Sequence, residues 1–127
     1  MIRLGRERKE LRVVVDQIGS PTYAADLAAA VYKIIESHQW VPGIYHFTNS
    51  GVASWYDFTK AIHRIAGVTD CKVIPIPTED YPTAASRPFY SVLNTHRLRT
   101  TYNVEIPYWV DSLEKCIARL KEEESNN

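Results

Sequence analysis

The sequence lacks the features that mark membrane-spanning, nucleic-acid-binding and disulfide-stabilised proteins. No apolar run approaches the length of a membrane-spanning helix, and Met1 leads into charged residues rather than a signal-peptide core. Fifteen basic residues balance fifteen acidic ones, which gives no electrostatic reason to expect a nucleic acid or a membrane as partner. The two cysteines, Cys71 and Cys116, lie far apart and are expected to be free thiols. These absences predict a cytoplasmic protein.

Glycine-rich and metal-binding motifs are missing as well. The five glycines never form a G-x-G-x-x-G pattern, so the chain has no evident cradle for a pyrophosphate and is not expected to bind a nicotinamide cofactor well by itself. The four histidines show no ligand spacing with cysteine, aspartate or glutamate, and no zinc site is predicted.

The most informative stretch that is present runs from Val13 to Ala30. Three valines at residues 13–15 favour a buried strand, and the chain then turns polar and breaks at Gly19. Residues 20–22, Ser-Pro-Thr, suit the start of a helix that continues to about Glu36. A strand followed by a polar turn and a helix presents side chains and N–H groups at the strand end, where ligands of α/β proteins commonly bind.

The rest of the chain predicts further short elements. Residues 1–10 are expected to be the last turns of an interrupted helix, and residues 77–93 a long irregular segment of the kind that usually has a function. The apolar and turn patterns predict strands at residues 44–48 and 72–76, a helix from Ser54 to Gly67, a short helix from residue 94 or 95 to Leu98, and a final helix opened by Pro107 whose buried face is Trp109, Leu113, Cys116, Ile117 and Leu120. Residues 121–127 are expected to be a frayed tail.

Four stretches together resemble one enzyme family. Residues 13–30, Gly43–Phe47, Ser54–Phe58 and 81–93 are similar, in this order, to the C-terminal lobe of dTDP-4-dehydrorhamnose reductases, which belong to the extended short-chain dehydrogenase/reductase superfamily. The resemblance implies an α/β fold over residues 1–127, with about three short strands and three to four helices and without the Rossmann sheet. It also implies that the chain is part of a longer protein.

The resemblance implies a function for that longer protein. Such enzymes transfer a hydride from NADPH or NADH to the C4 keto group of a dTDP-keto-sugar and give dTDP-L-rhamnose. Their cofactor motif and catalytic Tyr/Lys pair lie before the segment that this chain matches, so no catalytic residue is expected here and the chain alone is expected to be inactive. Tyr56 and Lys60 have the catalytic spacing but belong to the wrong lobe. Some members are associated with magnesium, for which no carboxylate can be assigned.

Three residues are candidates for substrate binding. Arg87 offers a planar fork that can hold a phosphate of the dTDP-sugar, or it can instead tie its loop to a neighbouring acid or carbonyl. By family position, Gln17 and Thr22 line the sugar pocket; alternatively, Thr22 caps a helix and Gln17 makes a hydrogen bond within the turn. The aromatic residues Trp55, Phe58, Tyr108 and Trp109 are interpreted as core rather than as a stacking platform.

Two other functions stay open at this point. One is a non-catalytic, partner-binding relative, such as the regulatory subunit of methionine adenosyltransferase, and the other is a nucleotide-sugar epimerase or dehydratase. The N-terminal Rossmann domain is an expected partner of this lobe. Without that domain an apolar face is left uncovered, and copies of the chain are expected to self-associate through it. A monomer in sedimentation at high concentration would count against that expectation.

Overall fold

The computed structural model describes residues 1–126 and has the mixed α/β fold that the sequence predicts. These residues form five α-helices and four short strands, so the fold class is confirmed while the number of elements is slightly higher than expected. The elements are α1 Ile2–Glu7, β1 Glu10–Val14, β2 Ile18–Gly19, α2 Ala24–Glu36, β3 Ala53–Ser54, α3 Trp55–Ala66, β4 Lys72–Ile76, a 3₁₀ turn Thr78–Asp80, α4 His96–Tyr102 and α5 Trp109–Ser125. None of the described helices is long and apolar enough to cross a membrane.

Two small sheets organise the strands. β1 and β4 pair in parallel, with Leu11 opposite Val73 and Val13 opposite Pro75, and β2 and β3 pair in antiparallel fashion. The predicted strand at residues 72–76 is confirmed. β1 starts earlier than the three valines suggested, because Glu10 already pairs with Lys72, and helix α1 therefore ends at Glu7 instead of continuing to residue 10.

The predicted strand at residues 44–48 is wrong: these residues form no strand in the described part of the chain. Their aromatic side chains face a helix pair instead. Tyr45 and Phe47 pack against the core between α2 and α4, and the ring of Tyr45 meets Tyr102 edge-on at 5.3 Å. The alternating apolar pattern is satisfied by this packing, and the isolated bridge that follows the segment joins Ser50 to Tyr108.

The predicted cap at the start of α3 is confirmed, whereas the one predicted for α2 is not. α3 begins with the predicted capping box between Ser54 and Asp57 and ends at Gly67, whose φ of 75° is the left-handed conformation that glycine favours. The predicted cap of α2 is wrong, since Tyr23 is the N-cap and its own side chain makes no capping hydrogen bond. Thr22 Oγ1 instead donates to the carbonyl of Ser20 at 3.1 Å.

The last two helices are longer than predicted. α4 extends beyond Leu98 to Tyr102 because both side chains are buried against α2. α5 continues through Ser125, so the frayed tail from residue 121 is wrong for the described residues, and Asn127 lies outside them. Arg119 and Glu123 form an ion pair of 3.1 Å, one turn apart on α5.

Three apolar clusters form the core. The largest lies between α3 and α5, the second joins β1 to β4, and the third joins α2 to α4. The two thiols are free, as predicted, with Cys71 buried in the second cluster. The core interpretation holds for buried Trp109 and partly buried Phe58, but it is wrong for Trp55 and Tyr108, which are about half exposed.

Helix α1 is held against α3 through a buried histidine. The side chain of His63 is 5% exposed, and neither ring nitrogen has a hydrogen-bond partner among residues 1–126. Burial lowers the pKa of His63, because the charged form loses its hydration. The ring lies directly beneath Gly5 of α1, where it leaves no space for a side chain.

Candidate functional site

The long segment 77–93 returns to the body of the protein alongside β2. The amide of Ile18 donates to the carbonyl of Phe89 at 2.8 Å, and the amide of Ser91 donates to the carbonyl of Ile18 at 2.9 Å. These bonds form a parallel bridge between Ile18 and Tyr90. Because Gln17 precedes Ile18 and Arg87 precedes Phe89, the bridge brings these two candidates to the same place.

Cavity A, of about 400 Å³, lies between this bridge and the start of α3. Its walls combine hydroxyl and backbone groups with apolar surfaces, and Gln17 and Arg87 are both among them. The lining residues are Gln17, Ile18, Gly19, Ser20, Pro21, Thr48, Ala53, Ser54, Trp55, Phe58, Arg87, Pro88, Ser91 and Leu93.

Cavity B, of about 330 Å³, lies at the carboxyl end of β1. Its lining residues are Met1, Arg12, Val13, Val14, Gln17, Trp55, Tyr81, Thr83 and Arg87. Gln17, Trp55 and Arg87 line both cavities, and they therefore form the boundary between A and B.

A polar network holds Gln17 in position at the ends of the parallel strands. Thr78 donates from its hydroxyl to Asp16 Oδ1 at 2.7 Å and from its amide to Asp16 Oδ2 at 3.0 Å. These hydrogen bonds, that of the hydroxyl first, lower the pKa of Asp16 because they favour the carboxylate form. Gln17 Nε2 donates in turn to Thr78 Oγ1 at 3.1 Å. The alternative prediction of a hydrogen bond within the turn is therefore wrong, since the bond of Gln17 crosses to another loop.

Arg87 differs from two other arginines of the chain, whose side chains have partners. Arg12 pairs with Asp80 at 3.1 Å, and the guanidinium of Arg97 lies over the ring of Tyr45 at 4.7 Å. The side chain of Arg87 is exposed and has no hydrogen bond or ion pair to the described residues. Its guanidinium is therefore available to an anionic ligand in either cavity.

Thr22 is not brought together with the other two candidates. It lines a separate cavity of about 80 Å³ beside Trp109 and Cys116. Its hydrogen bond to the carbonyl of Ser20 nevertheless holds the turn whose residues Ser20 and Pro21 line cavity A.

Sequence reasoning missed Trp55 as a residue of the site. The periodicity of α3 places it in the same apolar stripe as Ile62, which is buried. A signal was available in the capping box: Ser54 is the N-cap, so Trp55 is the first helical residue. Helical side chains lean toward the N-terminus, and at the first position this direction leads past the end of the core into the loops.

The absence of a side chain at Gly19 allows segment 77–93 to lie close to β2. A β-carbon at Gly19 would lie 3.2 Å from Ser91 Oγ, which is tighter than ordinary contact. We expect Gly19→Ala to displace residues 88–91 and lower the free energy of unfolding by about 1 kcal/mol. In a Ser91→Ala background the loss should shrink, because the crowded atom is gone. Urea denaturation of the four proteins measures this, and an equal loss in both backgrounds would contradict it.

The described residues do not fit a dinucleotide or a metal ion. The two sheets have two strands each, and no glycine-rich turn follows β1 or any other strand. Within residues 1–126 no three side chains of histidine, cysteine, aspartate or glutamate come together as a metal site. No step of the chemistry is therefore assigned to a cofactor held by these residues alone.

Comparison with known proteins identifies the family. The model of the family described as RmlD substrate binding domain matches residues 1–122. The chain belongs to this family. The resemblance inferred from the four sequence stretches is thereby confirmed. Among curated members, the spore coat polysaccharide biosynthesis protein SpsK of Bacillus subtilis is 44% identical over 117 residues, and the dTDP-4-dehydrorhamnose reductase of Escherichia coli K12 is 35% identical over 128 residues.

Solved structures agree with this family assignment. A dTDP-4-dehydrorhamnose reductase from Clostridium acetobutylicum superposes with a TM-score of 0.87 at 42% identity, over 94% of this chain and 42% of that chain. The Bacillus anthracis enzyme, solved in complex with NADP, gives 0.82 at 43% identity, over 90% and 40%. A UDP-glucuronic acid 4-epimerase from Bacillus cereus, at 15% identity and a TM-score of 0.68, shares the fold alone.

The chain spans well under half the length of the relatives that it matches. The match to SpsK covers 92% of this chain and 40% of SpsK. The match to the Escherichia coli reductase covers 94% of this chain and 43% of that enzyme. What these relatives do as whole proteins therefore reaches this chain only as a proposal.

Proposed function

We propose that the chain is one substrate-binding lobe of an NAD(P)H-dependent dTDP-4-dehydrorhamnose reductase, and that cavities A and B hold the dTDP-sugar. The observation that carries the proposal is the convergence of Gln17 and Arg87 on the same cavities, in a chain of the substrate-binding-domain family. Relatives named dTDP-4-dehydrorhamnose reductase support the choice of substrate and of reaction.

Arg87 binds the diphosphate in this proposal. Its guanidinium borders both cavities and is not engaged by the described residues, so it can form a bidentate, charge-assisted pair with phosphate oxygens. Gln17, held by Thr78 at 3.1 Å, keeps its amide oxygen for a hydroxyl of the sugar. Thr22 acts on the substrate through the turn at Ser20 and Pro21, which it holds by its hydrogen bond.

The remaining parts of the reaction lie outside this lobe in the same proposal. NADP or NAD binds to the N-terminal Rossmann domain of the parent enzyme, which also supplies the Tyr/Lys pair. By itself the chain is not expected to reduce a keto-sugar, since only part of the contacts that orient the reactants is present. Both the substrate and the cofactor of this reaction are water-soluble metabolites, which supports a cytoplasmic enzyme.

Two alternatives are weaker on these observations. A partner-binding relative has no need of an unengaged arginine between two cavities, and the epimerases share only the fold at this level of identity.

The uncovered face expected from the sequence has a counterpart on α2, where Leu27, Val31 and Ile35 are exposed at helical spacing. Self-association through that face stays a prediction.

Replacing Arg87 tests the proposed function. We expect the chain to bind dTDP and Arg87→Gln to weaken this binding at least tenfold, because a hydrogen-bonded charge pair contributes about 1.5–3 kcal/mol. Isothermal titration calorimetry with dTDP at low salt gives both affinities. Chemical shifts of the Arg87 side chain in the same titration show whether the phosphate reaches it.

Arg119→Gln is the matched control, since it removes the same charge from α5, and Arg119 lines neither cavity. It should leave dTDP binding unchanged. Equal losses in the two variants would mean that only net charge matters. No binding by the unaltered chain at millimolar dTDP would overturn the proposal for this lobe.

A further inference from the structure

Trp55 is the large aromatic residue at the boundary between the two cavities. It lines both of them, and half of its surface, 50%, is exposed although it belongs to the apolar stripe of α3. The capping box fixes Ser54 in front of it and so fixes where α3 begins. An indole with an uncovered surface at the edge of a ligand-sized cavity is suited to stack on a planar ring.

We propose that Trp55 is the stacking platform for the thymine base, with the base in cavity A, the diphosphate at Arg87 and the keto-sugar in cavity B. This inference rests on the proposed function, because it assumes a dTDP-sugar as ligand. It adds a residue that binds the base and thereby orients the nucleotide. It also gives the two cavities different roles.

The chemistry of cavity A matches a pyrimidine base. Pro21 and Phe58 offer apolar surface to the ring and its methyl group. Thr48 is partly buried in the same wall, and its hydroxyl has no hydrogen bond to the described residues. This hydroxyl can donate to or accept from the polar edge of the base, so the cavity offers both the stacking and the pairing that a base requires.

Cavity B is the better place for the reacting sugar. Cavity A is lined by β2, β3, the start of α3 and the segment after Arg87. A keto-sugar has to meet a cofactor that the described residues do not hold, and cavity B lies at the carboxyl end of β1, where ligands of parallel strands are usually reached. Tyr81 and Thr83 line it and carry hydroxyl groups that suit a sugar.

The roles of Trp55 and Arg87 can be separated with two ligands, dTDP and inorganic pyrophosphate. Stacking on an aromatic side chain contributes about 1–3 kcal/mol per base, so Trp55→Leu should weaken dTDP binding by a factor of about 5 to 150. Pyrophosphate has no ring, and its affinity should change less than twofold. Trp55→Phe, which keeps a ring, should recover most of the dTDP affinity. Calorimetry gives all these constants.

Tryptophan fluorescence adds a direct readout and a matched control. The chain has three tryptophans, and Trp40 is 80% exposed and lines neither cavity. Binding of dTDP should quench the emission in the unaltered chain and in Trp40→Leu, and should not do so in Trp55→Leu. Thermal melting of each variant shows whether it is folded at the titration temperature.

The possible results distinguish the two proposals. If dTDP binds and Arg87→Gln weakens it while Trp55→Leu does not, the stacking role is overturned and the proposed function stands. The same holds if Trp55→Leu weakens dTDP and pyrophosphate equally, since Trp55 then only supports the local structure. If the unaltered chain binds neither ligand, both proposals fail.

Discussion

Asn49→Ala is expected to lower the free energy of unfolding by about 3 kcal/mol or more, because it leaves several buried polar groups without partners. The Asn49 side chain is 1% exposed. Its Oδ1 accepts from the amide of Tyr23 at 2.7 Å, and its Nδ2 donates to Asp26 Oδ2 at 2.7 Å and to Ser112 Oγ at 3.0 Å. One amide group thus joins the start of α2 to the start of α5.

The charged partner makes the loss large. Ser112 Oγ also donates to Asp26, so the carboxylate of Asp26 depends on two neighbouring donors, of which the alanine variant removes one. Hydrogen bonds to charged groups contribute about 1.5–3 kcal/mol, roughly twice the neutral value. The midpoint of urea denaturation, followed by circular dichroism, measures the change.

Asn94→Ala is the control for this substitution. Asn94 Oδ1 accepts from the amide of His96 at 2.8 Å, but it does so at the exposed start of α4. Water can replace that bond, and a loss below about 1 kcal/mol is expected. If the two variants lost the same stability, burial of the Asn49 network would not be the cause.

Residue 49 shows what a sequence reveals and what it hides. Asn49-Ser50-Gly51 is recognisable as a turn, because these residue types adopt turn conformations by themselves. The partners of Asn49 lie at residues 23, 26 and 112, and nothing in the local pattern indicates which distant donors and acceptors will meet. Local conformation was therefore predictable here, whereas the long-range network was not.

The same difference between local features and long-range contacts explains which helices and strands were predicted correctly. Helix α3 could be predicted from its start to its end, since the capping box, the apolar spacing and Gly67 are all local features. The strand at 44–48 was wrong because alternation shows that side chains are buried but not that the backbone has a partner strand. Tyr45 and Phe47 are partly buried against helices, which gives the same alternation.

The site could be predicted only in part from the sequence, for a related reason. Arg87 and Gln17 could be selected by residue type, loop length and family resemblance, but the bridge between Ile18 and Tyr90 that brings them together is a contact across more than 70 residues. Thr22 was expected in the sugar pocket by family position, and the turn at Ser20 directs it to a different cavity. The position of a residue in the chain is a weak guide to the side of a turn on which it lies.

Gly5→Val is the second substitution with a large expected effect, and it should lower the free energy of unfolding by about 2 kcal/mol or more. A β-carbon at Gly5 would lie 2.5 Å from His63 Nε2 and 2.9 Å from Val68 Cγ1. His63 is buried and cannot swing aside, so α1 has to move away from α3. The free-energy cost of this movement exceeds the gain in helix propensity that comes from replacing the glycine.

A double-mutant cycle with His63→Ala isolates the contact. Removing the imidazole opens the space that the valine needs, so Gly5→Val should cost at least 1 kcal/mol less in the His63→Ala background. Gly67→Ala serves as the control for glycine replacement without crowding: a β-carbon there meets nothing within 4 Å, and its φ of 75° alone should cost about 1 kcal/mol. That cost should be the same in both backgrounds. Equal costs of Gly5→Val in both backgrounds would show that the ring of His63 does not set the distance between α1 and α3.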